Sequence, residues 1–278
     1  MNPRLPVVTL VSVVLCAPAL SSQATPRYLA DRGPGIATSM FGTYVARGEL
    51  LLYPFFEYTT ANLEYKPEEL GYGLNTDYRG RYRETESLLF LGYGVSDRLA
   101  LELEGAVYMT GDLRKAPTDT SAMPARFKES GLGDVQAEAR WRWGLESARR
   151  PEVFSYLEVD FPFQRTRRLI GTQDWEFKLG TGLIKGFGFG TLAIRAAGEY
   201  HRDEGKLEFG EYAIEYLKRL SPSWRVYTGI EGTQDEVEYI TEVQLRLGPR
   251  SYLKFNNAFG LTSKAANWAP EVGVMFSF

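Results

Sequence analysis

The chain has 278 residues, with 32 Lys and Arg against 35 Asp and Glu, a net charge of −3 and a mean hydropathy of −0.26. That balance leaves no basic face for nucleic acid, and a single cysteine excludes a disulfide framework. Beyond the N-terminus no apolar run approaches the ~20 residues of a spanning helix, yet aromatics make up 14% of the chain, with 17 Tyr and 16 Phe.

Arg4 precedes an apolar run from Leu5 to Leu20, interrupted only by Pro6, Thr9, Ser12 and Pro18. Ser22-Gln23-Ala24 then supplies a small-x-Ala cleavage site, so residues 1–24 read as a cleaved export signal. An uncleaved anchor fits less well, because the run is short and ends in small polar residues. Cys16 lies inside the signal, and Leu15 before it is not the small residue that lipidation wants. The mature chain would then carry no cysteine and a net charge of −4, with no disulfide, thiolate chemistry or Cys-based metal site. Residues 25–48 show no period, and Arg32-Gly33-Pro34-Gly35 breaks any helix or strand. They are expected to form an irregular segment, periplasmic or tucked into a barrel lumen.

From Glu49 the chain alternates. Leu50–Phe56 is strand one, and Pro54, which has no ladder donor, is expected at a bulge or strand end. The tyrosine-rich, charged stretch Thr59–Arg83 reads as a loop. Strand two, Glu84–Val95, shows Leu89, Leu91 and Tyr93 on one face, and Ser96-Asp97 turns the chain. Strand three, Arg98–Thr110, sets Leu99, Leu101, Leu103, Val107 and Met109 against Glu102 and Glu104. After a loop over Gly111–Ser130, strand four, Gly131–Trp143, sets Val135, Ala137, Ala139, Trp141 and Trp143 against Gln136, Glu138, Arg140 and Arg142. Strand five carries Val153, Leu157, Val159, Phe161 and Phe163 outward, with Glu158 and Asp160 inward, and Gln164–Gln173 is a loop.

Strand six opposes Trp175, Phe177, Leu179 and Leu183 to Glu176 and Lys178, and strand seven opposes Leu192, Ile194, Ala196 and Tyr200 to Arg195 and Glu199. Strand eight has Tyr212, Ile214 and Tyr216 against Glu211 and Glu215, and strand nine has Trp224, Val226 and Ile230 against Arg225 and Glu231. Strand ten has Val237, Tyr239, Val243, Leu245 and Leu247 against Glu238, Glu242, Gln244 and Arg246. Strand eleven has Leu253, Phe255, Phe259 and Leu261 against Lys254 and Asn256. In the last strand, Ala269–Phe278, Pro270, Val272, Val274, Phe276 and Phe278 alternate with Glu271, Gly273, Met275 and Ser277.

The fold class expected is all-β: a transmembrane antiparallel up-and-down β-barrel of about 12 strands over residues 49–278. Long connections alternate with tight turns, the strand number is even, and most strands match the ~9–11 residues that cross a bilayer at a tilt. A soluble sandwich predicts none of these. An apolar face running to a terminal aromatic fits lipid, not water.

The inward face is charged. Carboxylates come from Glu102, Glu104, Glu138, Glu158, Asp160, Glu176, Glu199, Glu211, Glu215, Glu231, Glu238, Glu242 and Glu271. Bases come from Arg140, Arg142, Lys178, Arg195, Arg225, Arg246 and Lys254. These are candidate lumen-lining residues. Either they wall an aqueous path that sorts solutes by charge, with mild cation preference, or they pair across strands and stabilise a closed interior. No catalytic, cofactor or metal site is expected. Glu102/Glu104 is the inward period of a strand, not a paired-acid site, and Gly186-Phe187-Gly188-Phe189-Gly190 is a turn with no helix after it. The only histidine, His201, falls at a loop edge, with Ser87 or Ser130 as its conceivable serine partners.

Ala269–Phe278 resembles the C-terminal strand of bacterial outer-membrane barrels, which implies recognition by the barrel-assembly machinery and residence in the outer membrane of a Gram-negative-type bacterium. Ser130-Gly131-Leu132-Gly133-Asp134-Val135, opening strand four, resembles the Gly-Leu-Gly-Asp strand start of the transporter-like family named after the MetA pathway of phenol degradation. The match spans Ser130–Arg142 together with general barrel character. The resemblance implies a role in passing small organic molecules, aromatic ones among them. A passive channel for small solutes is therefore the expectation. The alternatives are a closed or partner-binding barrel using its external loops and, more distantly, a surface lipid hydrolase using His201.

Overall fold

The computed structural model describes residues 25–278 apart from Glu204, so the export-signal reading lies outside the described residues. A 3-10 turn at Arg27–Leu29 leads into a two-stranded hairpin, β1 (Ile36–Ala37) and β2 (Tyr44–Val45). The remaining strands are β3 (Leu50–Tyr65), β4 (Tyr78–Gly94), β5 (Leu99–Arg114), β6 (Arg126–Gly131), β7 (Val135–Gly144), β8 (Glu152–Phe161) and β9 (Glu176–Gly186). They continue with β10 (Thr191–His201), β11 (Lys206–Arg219), β12 (Trp224–Gly232), β13 (Val237–Gly248), β14 (Ser251–Gly260) and β15 (Ala269–Ser277). Apart from β6 and β7, each pairs antiparallel with its chain neighbours, and β15 pairs with β3 to close the ring. β6 and β7 both pair with β5 and share one position, so the closed barrel has 12 strands.

Closure abolishes exposed strand edges, which is what allows a sheet to cross a membrane. At the seam, Leu50 and Phe278 exchange backbone hydrogen bonds at 2.9 and 3.2 Å. Pro54 lies neither at a bulge nor at a strand end: it sits mid-strand opposite Leu89. It coincides with a gap in the β15–β3 ladder, between the Gly273–Phe55 and Phe276–Leu52 pairs, where its missing N–H costs nothing.

The alternation sorts side chains as amphipathic strands require. Leu101, Leu103, Leu157, Leu179, Ile194, Ile214, Val243, Phe255 and Val272 are exposed on the outer wall. Their neighbours Glu102, Glu138, Arg140, Glu158, Glu242 and Lys254 are buried. Aromatics gather at both rims: Trp143, Phe189, Trp224 and Phe278 near the short turns, and Phe163, Phe259 and Trp268 near the long loops. Such girdles mark the two water–lipid boundaries.

Other expectations fail. Thr59–Arg83 is not a loop. β3 and β4 run 16 and 17 residues and stay paired as far as Tyr65–Tyr78. Beyond the apolar belt the code inverts: Arg79, Arg81 and Arg83 are exposed, while Tyr65 and Tyr82 turn inward onto Leu113 and Met123. A reading tuned to lipid-facing apolar residues misses a strand that stands in water. Met109 also does not share the outer face of β5. A bulge at Val107, between the Leu88–Ala106 and Ser87–Tyr108 pairs, shifts the phase, so Met109 is buried and Tyr108 exposed.

Strand four is likewise interrupted. Leu132, Gly133 and Asp134, at the head of the predicted strand, belong to neither β6 nor β7.

Candidate functional site: the barrel lumen

The N-terminal segment occupies the lumen at the end where the turns are short. Ile36 and Val45 are buried against Leu51, Tyr53, Phe90, Ala100 and Met275. Arg32 reaches Glu146 at 2.9 Å and Glu152 at 2.7 Å, and Arg142 bonds Glu152 at 2.8 Å and the Pro34 carbonyl at 3.0 Å. The Ser39 amide and hydroxyl donate to Glu102 at 2.8 and 2.7 Å. Lys254, paired with Glu242 at 3.0 Å, donates to the Phe41 carbonyl at 3.1 Å and to Thr43 Oγ1 at 3.2 Å. A segment with no periodic apolar face is thus held by satisfying its backbone groups from the barrel wall.

A second belt crosses β7–β12. Lys178 pairs with Glu158 at 2.6 Å and with Glu211 at 3.5 Å. Arg195 is ringed by Glu211, by Glu215 at 3.0 Å and by Glu231 at 2.6 Å. Arg140 binds Glu138 at 2.6 Å and lies over Tyr156 at 5.0 Å. Here the paired-charge reading of the lumen describes the geometry.

The opposite wall differs. Glu271 on β15 faces Glu57 on β3, which faces Glu86 on β4, so three carboxylates form one cross-strand row. Glu84, Glu104 and Asp160 lie on nearby strands. Among the described residues none of these six makes a salt bridge; Glu271 accepts from Tyr53 and Asn256, and Glu57 from Thr59. Like charges directly opposed are unfavourable, so this wall attracts cations and hydrogen-bond donors. The sequence reading missed Glu57, Glu84 and Glu86. Counting period two back from Leu88 and on from Phe55 would have found them.

Other candidates fall at the rims. Arg246 is exposed and donates to the Gly248 and Pro249 carbonyls in a turn. Glu238 accepts from the Ala266 amide near the loop end. Glu176 faces His201 Nδ1 at 3.4 Å, and Glu208 lies 3.9 Å from Nε2. Neither serine considered as its partner is a neighbour: Ser87 lies in β4 and Ser130 in β6, with β8 and β9 between β6 and β10. Among the described residues no cluster of three or more His, Cys, Asp or Glu is arranged to hold a metal.

No protein-family model matches the chain, and no curated protein matches it. Solved structures do. The outer-membrane channel COG4313 from Pseudomonas putida F1 superposes with a TM-score of 0.59 at 14% identity, covering 84% of this chain and 96% of that one. The translocator domain of the autotransporter NalP from Neisseria meningitidis superposes with a TM-score of 0.51 at 9% identity, covering 84% of this chain and 89% of that one. At these identities the likeness establishes the architecture: this chain has the fold of a bacterial outer-membrane β-barrel.

Proposed function

We propose that this chain, exported by residues 1–24 and delivered to the outer membrane through recognition of Ala269–Phe278 by the barrel-assembly machinery, is a passive channel for small organic solutes with no chemistry of its own. The short turns then face the periplasm and the long loops face outward. The observation that carries the reading is the row Glu271–Glu57–Glu86 with Glu84, Glu104 and Asp160. A barrel kept only as a closed wall neutralises its interior. This one pairs most of its inward charges over β7–β12 and leaves the row on β15, β3 and β4, with Asp160 of β8, without a cation. The inward candidates Glu102, Glu104, Glu138, Arg140, Arg142, Glu158, Asp160, Lys178, Arg195, Glu211, Glu215 and Glu242 would line the path, with residues 32–45 as its constriction.

The test is conductance in a planar bilayer under a salt gradient. Residues 25–278 are expected to give small, cation-selective steps, and a variant lacking residues 25–46 steps several-fold larger with the same sign of selectivity. Anion preference, or identical conductance with and without the segment, would sink the proposal.

A further inference from the structure

The Gly131–Asp134 stretch interrupts the strand ladder of the barrel wall. β6 pairs with β5 from Met109–Gly131 outward, and β7 pairs with it from Gly105–Val135 inward. Between them, among the described residues, two backbone hydrogen bonds bridge the strands, Gly133 N to Ala106 O at 2.8 Å and Ala106 N to Asp134 O at 3.4 Å. On its far side β6 has no strand partner, because β8 ends at Phe161.

Both faces of this break are hollow. On the lipid side lies an apolar recess of about 490 Å³ lined by Leu89, Leu103, Val107, Leu132, Val135 and Phe163. On the lumen side lies one of about 190 Å³ lined by Glu86, Met109, Asp134, Gln136, Asp160 and Gly171. Glu104, Gly105 and Ala106 line both recesses, so a single layer of chain separates them.

Residues 162–175, the connection from β8 to β9, stopper the break. Ile170 is fully buried in a cluster with Ala106 and Met109. The loop is tied down through backbone amides to two carboxylates. Phe163 N donates to Asp134 at 3.1 Å, Thr172 N donates to the other oxygen of Asp134, and Arg168 N and Leu169 N both donate to Glu129 at 2.7 Å. Two glycines make the fit. A Cβ on Gly133 would lie 2.5 Å from the Ala106 Cβ, and one on Gly171, at φ +71°, would lie 2.8 Å from an Asp134 oxygen. These restraints are local and few, and they close a break that has no strand pairing on the far side of β6.

We propose that the break is a side port, gated by residues 162–175, through which small molecules with an apolar body and a hydrogen-bond-donating end pass between the lipid phase and the lumen. This deepens the channel reading and rests on it. The outer recess takes the apolar body. The inner recess offers Glu86, Glu104, Asp134 and Asp160, acceptors that suit a hydroxyl or ammonium and repel a carboxylate. A lipid acyl chain could fill the outer recess but has no donor for the inner one.

The test uses residues 25–278, which contain no cysteine, in lipid nanodiscs and planar bilayers, with 2-naphthol and naphthalene-2-carboxylate as probes. Gly111→Cys with Leu169→Cys is chosen to lock the loop: a Cβ on Gly111 lies 3.0 Å from that of Leu169, and a shift of the loop by about 0.5 Å brings the pair to the ~3.5–4.5 Å of a disulfide. Leu132→Trp fills the outer recess from an exposed position. Both variants are first checked for heat-modifiable migration, the mark of a folded barrel. Fluorescence is expected to show 2-naphthol binding at least tenfold more tightly than the carboxylate, with binding lost in Leu132→Trp. Added 2-naphthol is expected to reduce the cation current when the cysteine pair is reduced and to leave it unchanged when oxidised. Equal binding of the two probes, or binding that survives Leu132→Trp, would overturn the site. Block that persists in the oxidised protein would overturn the gate. Absence of any current from the reduced protein would count against the channel reading, and the binding measurement would still judge the site.

Discussion

Lys254 is 1% exposed, and its ammonium reaches Glu242, the Phe41 carbonyl and Thr43 Oγ1, with the Tyr53 ring 4.9 Å away. It therefore both neutralises a buried carboxylate and holds the N-terminal segment. Lys254→Met keeps much of the side-chain volume but strands Glu242, and breaking a buried pair from one side costs on the order of 3–5 kcal/mol. The expected outcome is a lowered denaturant midpoint together with larger single-channel steps. Unchanged steps would show that Lys254 does not hold the constriction. At this scale the sequence was legible wherever the period was unbroken: Glu102, Glu138, Arg140, Glu158, Glu242 and Lys254 are buried as alternation requires. It was misleading at Met109, where a one-residue bulge reverses the faces, and at Arg246, where the strand ends in a turn.

Among the elements, the tall wall of β3, β4 and β5 supports an external cluster in which Asp119 is the polar pivot. Its carboxylate accepts from the Tyr65 hydroxyl at 2.8 Å and the Ser121 amide at 2.7 Å, with Lys115 3.9 Å away. Burial opposes ionisation of Asp119, but the hydrogen bonds from Ser121 and Tyr65, with Lys115 nearby, hold its carboxyl below the usual carboxylate range. A depressed folded pKa means that the stabilisation is fully present above the unfolded value of about 3.9 and is lost as pH falls through the lower folded value. Residues 115–125 should therefore resist protease at neutral pH and become cleavable only well below pH ~4. In Asp119→Asn they should be cleavable at neutral pH. Equal protection of both proteins at pH 7 would refute the assignment. The sequence reading made Gly111–Ser130 all loop, whereas β5 runs on to Arg114 and β6 begins at Arg126, and it gave the remaining loop no order, because Asp119 and Tyr65 meet only when β3 and β5 flank β4.

For the whole molecule, closure joins the two ends of the barrel chain, and Phe278 both completes the β15–β3 seam and stands in the turn-end girdle. Deletion of Phe278 is expected to cut the amount of heat-modifiable protein recovered from outer membranes several-fold while leaving refolding in detergent largely intact. Equal loss in both would assign the residue to stability alone and not to recognition during assembly.

Strand number, the sides of the turns and the sorting of side chains between lipid and lumen follow from period two, because each residue's environment is set by its own parity along a strand. The bulge, the height of β3 and β4, the lumenal seat of residues 32–45 and the stopper formed by residues 162–175 were decided only by the tertiary structure. Those segments carry no repeating apolar face. Their backbone amides and carbonyls are satisfied by Glu102, Glu129, Asp134, Arg142 and Lys254, side chains far away in sequence that alternation marks as inward or leaves in a loop but assigns no partner.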